Sequence, residues 1–117
     1  MSEIDPIARL HHMLDAARKA GQFAQGRTRA DLDADEMFAL ALVRLLEVIG
    51  EAANAVTEDI RNRAPQIPWK EIAGTRNRLV HGYFDVDLDI VWEIVTQDLP
   101  PLITALERLV PSQESSA

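Results

Sequence analysis

Residues 37–55 read MFALALVRLLEVIGEAANA, and a helix formed by these residues carries apolar side chains on nearly every side. A helix at the surface of a protein shows one apolar stripe, whereas a helix that is apolar all round is packed on more than one side. We therefore predict one long, buried helix that begins near Leu32 and runs to about Ile60. Glycine destabilises a helix by about 1 kcal/mol relative to alanine, so a glycine inside a helix usually serves packing. We therefore expect Gly50 to let another segment approach the α-helical backbone closely.

Helical spacing of apolar residues also predicts three other helices, around the long one. They cover about Ile4 to Phe23, Trp69 to Val80 and Leu88 to Val110. Asp5 and Pro6 have the residue types of a helix cap and a first helical turn, and Gly21 and Gly26 should loosen the chain into a polar connection after that helix. Pro100-Pro101 should kink or split the last helix near Asp98.

No alternating apolar pattern of useful length indicates a strand. We therefore predict an all-α fold, with a bundle of four main helices of which the third is short. Residues 1–110 should form a single domain, and residues 111–117, PSQESSA, read as a flexible tail. The chain has no cysteine, which excludes disulfides, thiol catalysis and cysteine-ligated metals. It shows no apolar run typical of a signal peptide or a membrane span, so we expect a cytoplasmic location and no membrane contact.

The net charge of −7 argues against sequence-blind binding of nucleic acid over the whole surface. The charge is uneven, however, because residues 61–83 carry +4 and the remainder carries −11. The charged residues of that segment are Arg61, Arg63, Lys70, Glu71, Arg76 and Arg78. A basic strip of this kind faces phosphate or docks an acidic partner, and composition does not separate the two.

The same segment contains Thr-Arg-Asn-Arg-Leu-Val-His-Gly-Tyr at positions 75–83. Arginine holds phosphate through a planar fork of donors, and histidine transfers protons near neutral pH. If the third helix extends to His81, Arg76 and His81 lie about 140° apart, whereas Asn77 and His81 share a face. One subunit thus offers an awkward site, and a two-fold dimer would bring two copies of each residue to one cleft.

Two histidines in one cleft would allow acid–base cleavage of a phosphodiester without a metal or other cofactor. One would take the proton of a ribose 2′-hydroxyl, and the other would protonate the departing 5′-oxygen. Both arginines would stabilise the charged phosphorane. Because this chemistry needs the 2′-hydroxyl, it predicts RNA as substrate and a cyclic 2′,3′-phosphate as product.

The motif resembles the Arg-x4–6-His motif of HEPN domains, and Gly82-Tyr83 extends it to the Arg-x4-His-x-Tyr form of the HepT branch. Other pieces agree in order, so the resemblance covers roughly residues 36–107. They are Ile49-Gly50-Glu51-Ala52, Pro65-Gln66-Ile67-Pro68-Trp69, Val86-Asp87, Val91-Trp92 and Leu99-Pro100.

The resemblance implies an all-α, dimeric, metal-independent ribonuclease whose cleft lies at the dimer interface. Arg76 and His81 would be catalytic, and Asn77 would support the site. It also implies a toxin–antitoxin pair in which an MntA-like nucleotidyltransferase, the antitoxin, uses ATP to attach AMP to Tyr83. ATP would then be the partner's substrate, and this chain would have no cofactor of its own.

Two other functions are consistent with the same resemblance. In one, the HEPN dimer has lost its nuclease activity and docks a nucleotidyltransferase. In the other, the chain is the substrate-binding half of an active nucleotidyltransferase complex. The glycine-serine loop and paired aspartates of such an enzyme are missing from this chain, so it would not supply that catalysis itself. Trp92 belongs to the core or to a dimer interface on either view.

Overall fold

Helices dominate the computed structural model of the protein, which describes residues 5–81 and 85–110. The α-helices are α1 (Pro6–Ala24), α2 (Arg29–Ala34), α3 (Glu36–Ala55), α4 (Glu58–Arg61), α5 (Trp69–Ala73), α6 (Thr75–Leu79), α7 (Leu88–Glu93) and α8 (Leu99–Leu109). A π-helical turn (Ile94–Asp98) joins α7 to α8, and two short strands, β1 (Val80–His81) and β2 (Asp85–Val86), pair antiparallel. The all-α prediction is confirmed. The predicted tail 111–117 lies outside the described residues.

The core is centred on α3, which packs against α1, α2, α5, α6 and α7. This arrangement confirms that the apolar stretch at 37–55 is covered on more than one side. The largest fully buried side chains come from most of the helices, and they include Leu10, Met13, Leu32, Leu42, Leu46, Leu79, Val91 and Leu106. Burial of each such side chain contributes about 1.5–3 kcal/mol to the free energy of folding.

The prediction of one helix from Leu32 to Ile60 is wrong, because the chain leaves helical geometry at Asp35 and again at Val56. Asp35 is extended, and its carboxylate accepts a hydrogen bond from the backbone N–H of Phe38 at 3.1 Å. A short acidic side chain offers such N–H groups a partner outside the helix, so it starts a new helix. The long apolar run is therefore α3 alone, between two short helices.

The predicted helix from Trp69 to Val80 is also divided. The N–H of Gly74 donates to the carbonyl of Lys70 at 3.0 Å, which completes α5, and α6 begins at the next residue. Val80 is extended (φ −115°, ψ 122°), so helical geometry ends at Leu79. The helical angles expected between position 81 and its neighbours therefore do not apply.

The chain forms a hairpin after α6, where no strand was predicted. Val80 lies opposite Val86, and His81 lies opposite Asp85. Two-residue strands are too short to show the period of two that identifies strands in a sequence. The N–H of Asp87 also donates to the carbonyl of Leu79 at 2.7 Å, which ties the return of the hairpin to the end of α6.

The first helix follows its prediction at both ends. Asp5 caps α1, because its carboxylate accepts from the N–H of Ile7 at 2.9 Å. The helix then continues through Gly21 to Ala24, and the chain turns at Gly26, whose φ is +76°. Positive φ suits glycine because it has no Cβ, whereas a glycine with helical angles only weakens a helix.

The last helical segment is interrupted near Asp98, as the Pro100-Pro101 pair predicts. Ile94–Asp98 form the π-helical turn, and α8 begins at Leu99 with Pro100 in its first turn. A proline is tolerated in a first turn because the N–H that it lacks has no partner there. Within the described ranges, every helix is too short or too polar to cross a membrane.

Candidate active site

The motif residues lie on α6, and two buried side chains orient this short helix. Thr75 and Leu79, one turn apart, are buried against the core. The Thr75 hydroxyl donates to the carbonyl of Ile72 at 2.6 Å, which satisfies a hydroxyl that is nearly withdrawn from water. Because these residues face inward, Arg76 and Asn77 lie on the exposed side of α6.

Gly50 of α3 allows this segment to lie close to the core. A Cβ built at Gly50 would come within 3.1 Å of the carbonyl oxygen of Ile72 and within 3.5 Å of the Thr75 Cβ. Any larger residue would therefore push the junction of α5 and α6 outward. The expectation that Gly50 admits a close neighbour is confirmed, and that neighbour is the segment that immediately precedes Arg76.

The chain that leads into α5 is anchored by side chains that the motif does not include. The indole N–H of Trp69 donates to the carbonyl of Ala64 at 3.1 Å and holds the start of α5. Arg61 donates to the carbonyl of Ala53 at 2.8 Å, and its guanidinium lies 5.9 Å from the centre of the Trp69 ring. Arg61 thus closes the end of α3, and it holds the approach to the motif in place.

The structure describes only the backbone of His81, and it does not describe Tyr83. The backbone of His81 pairs with Asp85 in the hairpin, whereas the His81 side chain lies outside the described part of the structure. Tyr83, the predicted site of modification, lies outside the described residues altogether. The structure therefore places Arg76 and Asn77 on the exposed side of α6 and the His81 backbone two residues beyond the end of that helix.

The five cations of residues 61–83 have different environments. Arg61 is used inside the fold, and Arg78 lies 3.7 Å from the carboxylate of Asp98. Arg76 is exposed, and no carboxylate of the described residues lies within 4.0 Å of its guanidinium. The basic strip is thus not a uniform patch, and Arg76 is the motif cation left open to an external anion.

A cavity of about 300 Å³ opens on the opposite side of α6 from Arg76. Its lining comes from α3, the α5–α6 junction, the π-helical turn and α8, and it includes Leu46, Ile72, Thr75, Arg78, Asp98 and Leu102. No sequence pattern indicated this cavity, because its walls come from segments that are far apart along the chain. Arg76 and Asn77 do not line it, so the cavity is separate from the motif face.

Comparison with known proteins yields one family and several relatives. A family model described as "Ribonuclease HepT-like" matches residues 13–109. "Putative RNase MJ1380" of Methanocaldococcus jannaschii is 36% identical over 92% of this chain and 98% of its own length. "Probable ribonuclease HepT" of Thermococcus cleftensis is 34% identical over 86% of this chain and 91% of its own. No solved structure matches the chain significantly.

Proposed function

This chain belongs to the HepT-like ribonuclease family, and from that membership we propose that it is a metal-independent endoribonuclease. Arg76 and His81 are its catalytic residues, and Asn77 supports the site. The observation that carries the proposal is the open guanidinium of Arg76, which lies on the exposed side of a short helix that ends two residues before His81. An arginine without a carboxylate partner is the residue best suited to hold a phosphate.

The proposed reaction is attack by the substrate's own ribose. His81 of one subunit takes the proton of the 2′-hydroxyl, and the 2′-oxygen attacks phosphorus. The bond from phosphorus to the 5′-oxygen breaks, and a second His81 gives that oxygen a proton. The products are a 2′,3′-cyclic phosphate and a 5′-hydroxyl end. Arg76 stabilises the negative charge that gathers on the phosphorane oxygens.

This division of labour requires two subunits, because each chain has one Arg76 and one His81 in the motif. A two-fold dimer places two copies of each on either side of one axis. The short helix α6 supports this arrangement, since its exposed side presents Arg76 and Asn77 away from the core. We therefore propose that the active species is a homodimer with its cleft at the interface.

Regulation follows from the family resemblance. We propose that the chain is the toxin of a toxin–antitoxin pair whose antitoxin is an MntA-like nucleotidyltransferase. The Tyr83 phenol oxygen would attack the α-phosphorus of ATP, pyrophosphate would leave, and AMP would stay on Tyr83. An AMP group two residues from His81 adds bulk and negative charge where an RNA phosphate binds, so it would block cleavage.

The test is an RNA cleavage assay in EDTA with protein that mass measurement shows to be free of AMP. We expect cleavage with cyclic phosphate ends, and a loss of about 10²–10⁴-fold in His81→Ala and in Arg76→Ala. Arg63→Ala is the matched control, because it removes an exposed cation of the same segment that lies outside the motif. Undiminished cleavage by His81→Ala would disprove the mechanism.

A second candidate is a docking module without nuclease activity. Its support is the net charge of −7, which suits contact with a protein better than capture of RNA. The same assay separates the two functions. If the AMP-free protein leaves RNA intact and still binds a nucleotidyltransferase, the docking function replaces the nuclease.

A further inference from the structure

The cavity beside α6 combines an apolar wall with a polar rim. Its volume of about 300 Å³ falls at the lower end of the range for small-molecule sites, which is about 300–1,000 Å³. Its most buried lining side chains are apolar apart from Thr75, whose hydroxyl already donates to the carbonyl of Ile72. The other polar lining side chains are at least partly exposed, and they are Gln66, Glu71, Arg78, Gln97 and Asp98. A cavity of this kind suits a flat ring with a polar edge.

Asp98 contributes to this rim a carboxylate that caps no helix. An aspartate directly before a helix normally accepts a hydrogen bond from the N–H of the second or third helical residue. In α8 those residues are Pro100 and Pro101, which have no N–H. Asp5 and Asp35 cap the helices that they precede, whereas the Asp98 side chain makes no such bond. The oxygens of Asp98 therefore keep their capacity to accept hydrogen bonds from a ligand.

Arg78 places hydrogen-bond donors next to these acceptors. Nη1 of Arg78 lies 3.7 Å from Oδ2 of Asp98, which is longer than a hydrogen bond between nitrogen and oxygen. The two side chains thus lie side by side without satisfying each other, and both are partly open to solvent. The rim of the cavity therefore offers a fork of donors beside a pair of acceptors.

The charges of the rim select the kind of ring that fits. Glu71 is a second carboxylate of the lining, so acidic side chains outnumber Arg78, which disfavours a ligand with an anionic head group. A neutral ring that is rich in donors fits better, and among the nucleobases guanine has two N–H donors on adjacent atoms, at N1 and N2. A carboxylate accepts both, and arginine donates to the neighbouring O6 of the same base.

The cavity also lies within reach of a strand that is held at Arg76. Arg76 and Arg78 are two positions apart on α6, so they point about 200° apart around its axis, with Asn77 between them on the exposed side. A strand that crosses this side covers about one helix diameter, roughly 10 Å. At the duplex spacing of about 3.4 Å per nucleotide this distance is about three nucleotides, and it is fewer when the strand is extended.

We propose that the cavity beside α6 takes an unpaired guanine of the RNA substrate, about one to three nucleotides from the phosphate that Arg76 holds. Asp98 accepts from the N1 and N2 donors of the base, Arg78 donates to O6, and the apolar wall covers the faces of the ring. Proteins recognise single-stranded RNA through splayed-out bases of this kind. The assignment to RNA rests on the proposed function, whereas the choice of guanine rests on the lining of the cavity itself.

The first test compares RNA oligonucleotides that differ at one base only. A run of uridines carries guanosine, inosine or adenosine at one central position, and inosine is guanosine without the amino group at N2. We expect cleavage within about three nucleotides of guanosine, and a decrease of about fivefold or more with inosine and with adenosine. Equal cleavage of all three oligonucleotides would overturn the proposal and leave the nuclease intact.

Two matched pairs of variants locate this preference in the cavity. Asp98→Asn replaces a carboxylate oxygen by an amide N–H₂ and should remove the difference between guanosine and inosine, whereas Asp59→Asn, an exposed acid of α4, should keep it. Ala105→Met extends a lining side chain into the cavity and should weaken the preference, whereas Thr104→Met changes the adjacent exposed residue of α8, which does not line the cavity. Melting temperatures establish that each variant is folded, and an unchanged preference in folded Asp98→Asn would overturn the proposal.

Guanosine itself, which has no phosphate, gives a test that does not need cleavage. In a titration followed by NMR, guanosine should shift the amide signals of Ile72 and Ala105 saturably, and adenosine and Asp98→Asn should each reduce the effect. Selective binding of guanosine without cleavage of any RNA would uphold guanine recognition and overturn the proposed nuclease. Selective binding together with cleavage that ignores guanine would assign the cavity to a free nucleoside or nucleotide and overturn its role in RNA recognition. Equal or absent binding of both nucleosides at millimolar concentration would overturn guanine recognition.

Discussion

At the corner where α1, α2 and α3 meet, Arg27 and Arg29 each lie against two carboxylates, whereas Arg76 on α6 has none within 4.0 Å among the described residues. Arg27 pairs with Asp35 at 3.0 Å, and Arg29 pairs with Asp89 at 2.7 Å. The corner uses its arginines to join helices, so they are already neutralised. Arg76 joins nothing, and its charge is left for an external anion.

The two regions also differ in how their helices begin. Thr28 and Asp31 form a capping box at the start of α2, and Asp35 caps α3. By contrast, α5 and α6 follow Pro68 and Gly74 and have no side-chain cap. Helices this short are marginal alone, so α5 and α6 depend on tertiary contacts such as the approach to Gly50. Side-chain caps and ion pairs hold the corner, and packing holds the motif.

The largest expected effect is that substitution of Arg76 lowers activity alone, whereas substitution of Arg27 lowers stability alone. Arg76→Ala should lower cleavage by about 10²-fold or more and leave the melting temperature unchanged. Arg27→Ala should do the reverse, because Arg27 pairs with two aspartates and lies 4.0 Å from the centre of the Phe38 ring. Cleavage rates and thermal melts of both variants provide the measurement. If both variants changed the cleavage rate and the melting temperature equally, the proposed division between a catalytic Arg76 and a structural Arg27 would be wrong.

The next effect concerns the packing that holds the motif. Gly50→Val should destabilise the protein by about 1–3 kcal/mol and reduce cleavage, because its side chain would displace the carbonyl of Ile72 and Thr75. Gly21→Ala is the matched control, since a Cβ there meets nothing within 4 Å in α1. It should stabilise by about 0.5–1 kcal/mol and leave cleavage unchanged. Denaturant unfolding tests both, and a stable, active Gly50→Val would refute the close approach.

Acid should weaken the corner before it affects the packing around α6. The backbone N–H of Thr28 lowers the pKa of Asp31, and the backbone N–H of Phe38, followed by Arg27, lowers the pKa of Asp35. Both lie below the ordinary value of 3.8, so their stabilisation is complete above that pH and is lost as pH falls through the lowered pKa values.

The measurement for this effect is the melting temperature between roughly pH 6 and pH 2, a range that extends below the ordinary pKa of the two carboxyls. The double variant Asp31→Asn, Asp35→Asn should melt lower at neutral pH and should lose less on acidification than the parent. Asp59→Asn, which changes an exposed acid of α4, is the control. An unchanged pH slope in the double variant would show that other groups govern acid unfolding.

The smallest expected effect is that of an exposed cation outside the motif. Lys70 is exposed on α5, and Lys70→Ala should reduce the slope of RNA affinity against salt concentration by about one at most. The rate of cleavage of bound RNA should not change. A large loss of that rate would place Lys70 in the site itself and would extend the site beyond α6.

Several features of the fold were predictable because their causes are local. The cap at Asp5, the break before Pro100 and the close approach at Gly50 each follow from one residue type in a helical context. The breaks at Asp35 and Gly74 were missed, because the apolar pattern continues across both positions. Capping starts a new helix at Asp35, and hairpin pairing ends helical geometry at Leu79; neither leaves a periodic signal in the sequence.

For the site, the sequence by itself determined which chemical groups are present and how far apart they lie along the chain. It established the Arg76 to His81 spacing and a charge of +4 in residues 61–83. Only the tertiary structure decided that Arg61 and Arg78 have partners while Arg76 is open, and that Met37 and Leu40 lie on an uncovered side of α3. Burial and pairing depend on residues that are distant in sequence, such as Arg29 and Asp89, so composition and local spacing alone do not determine which side chains are buried or paired.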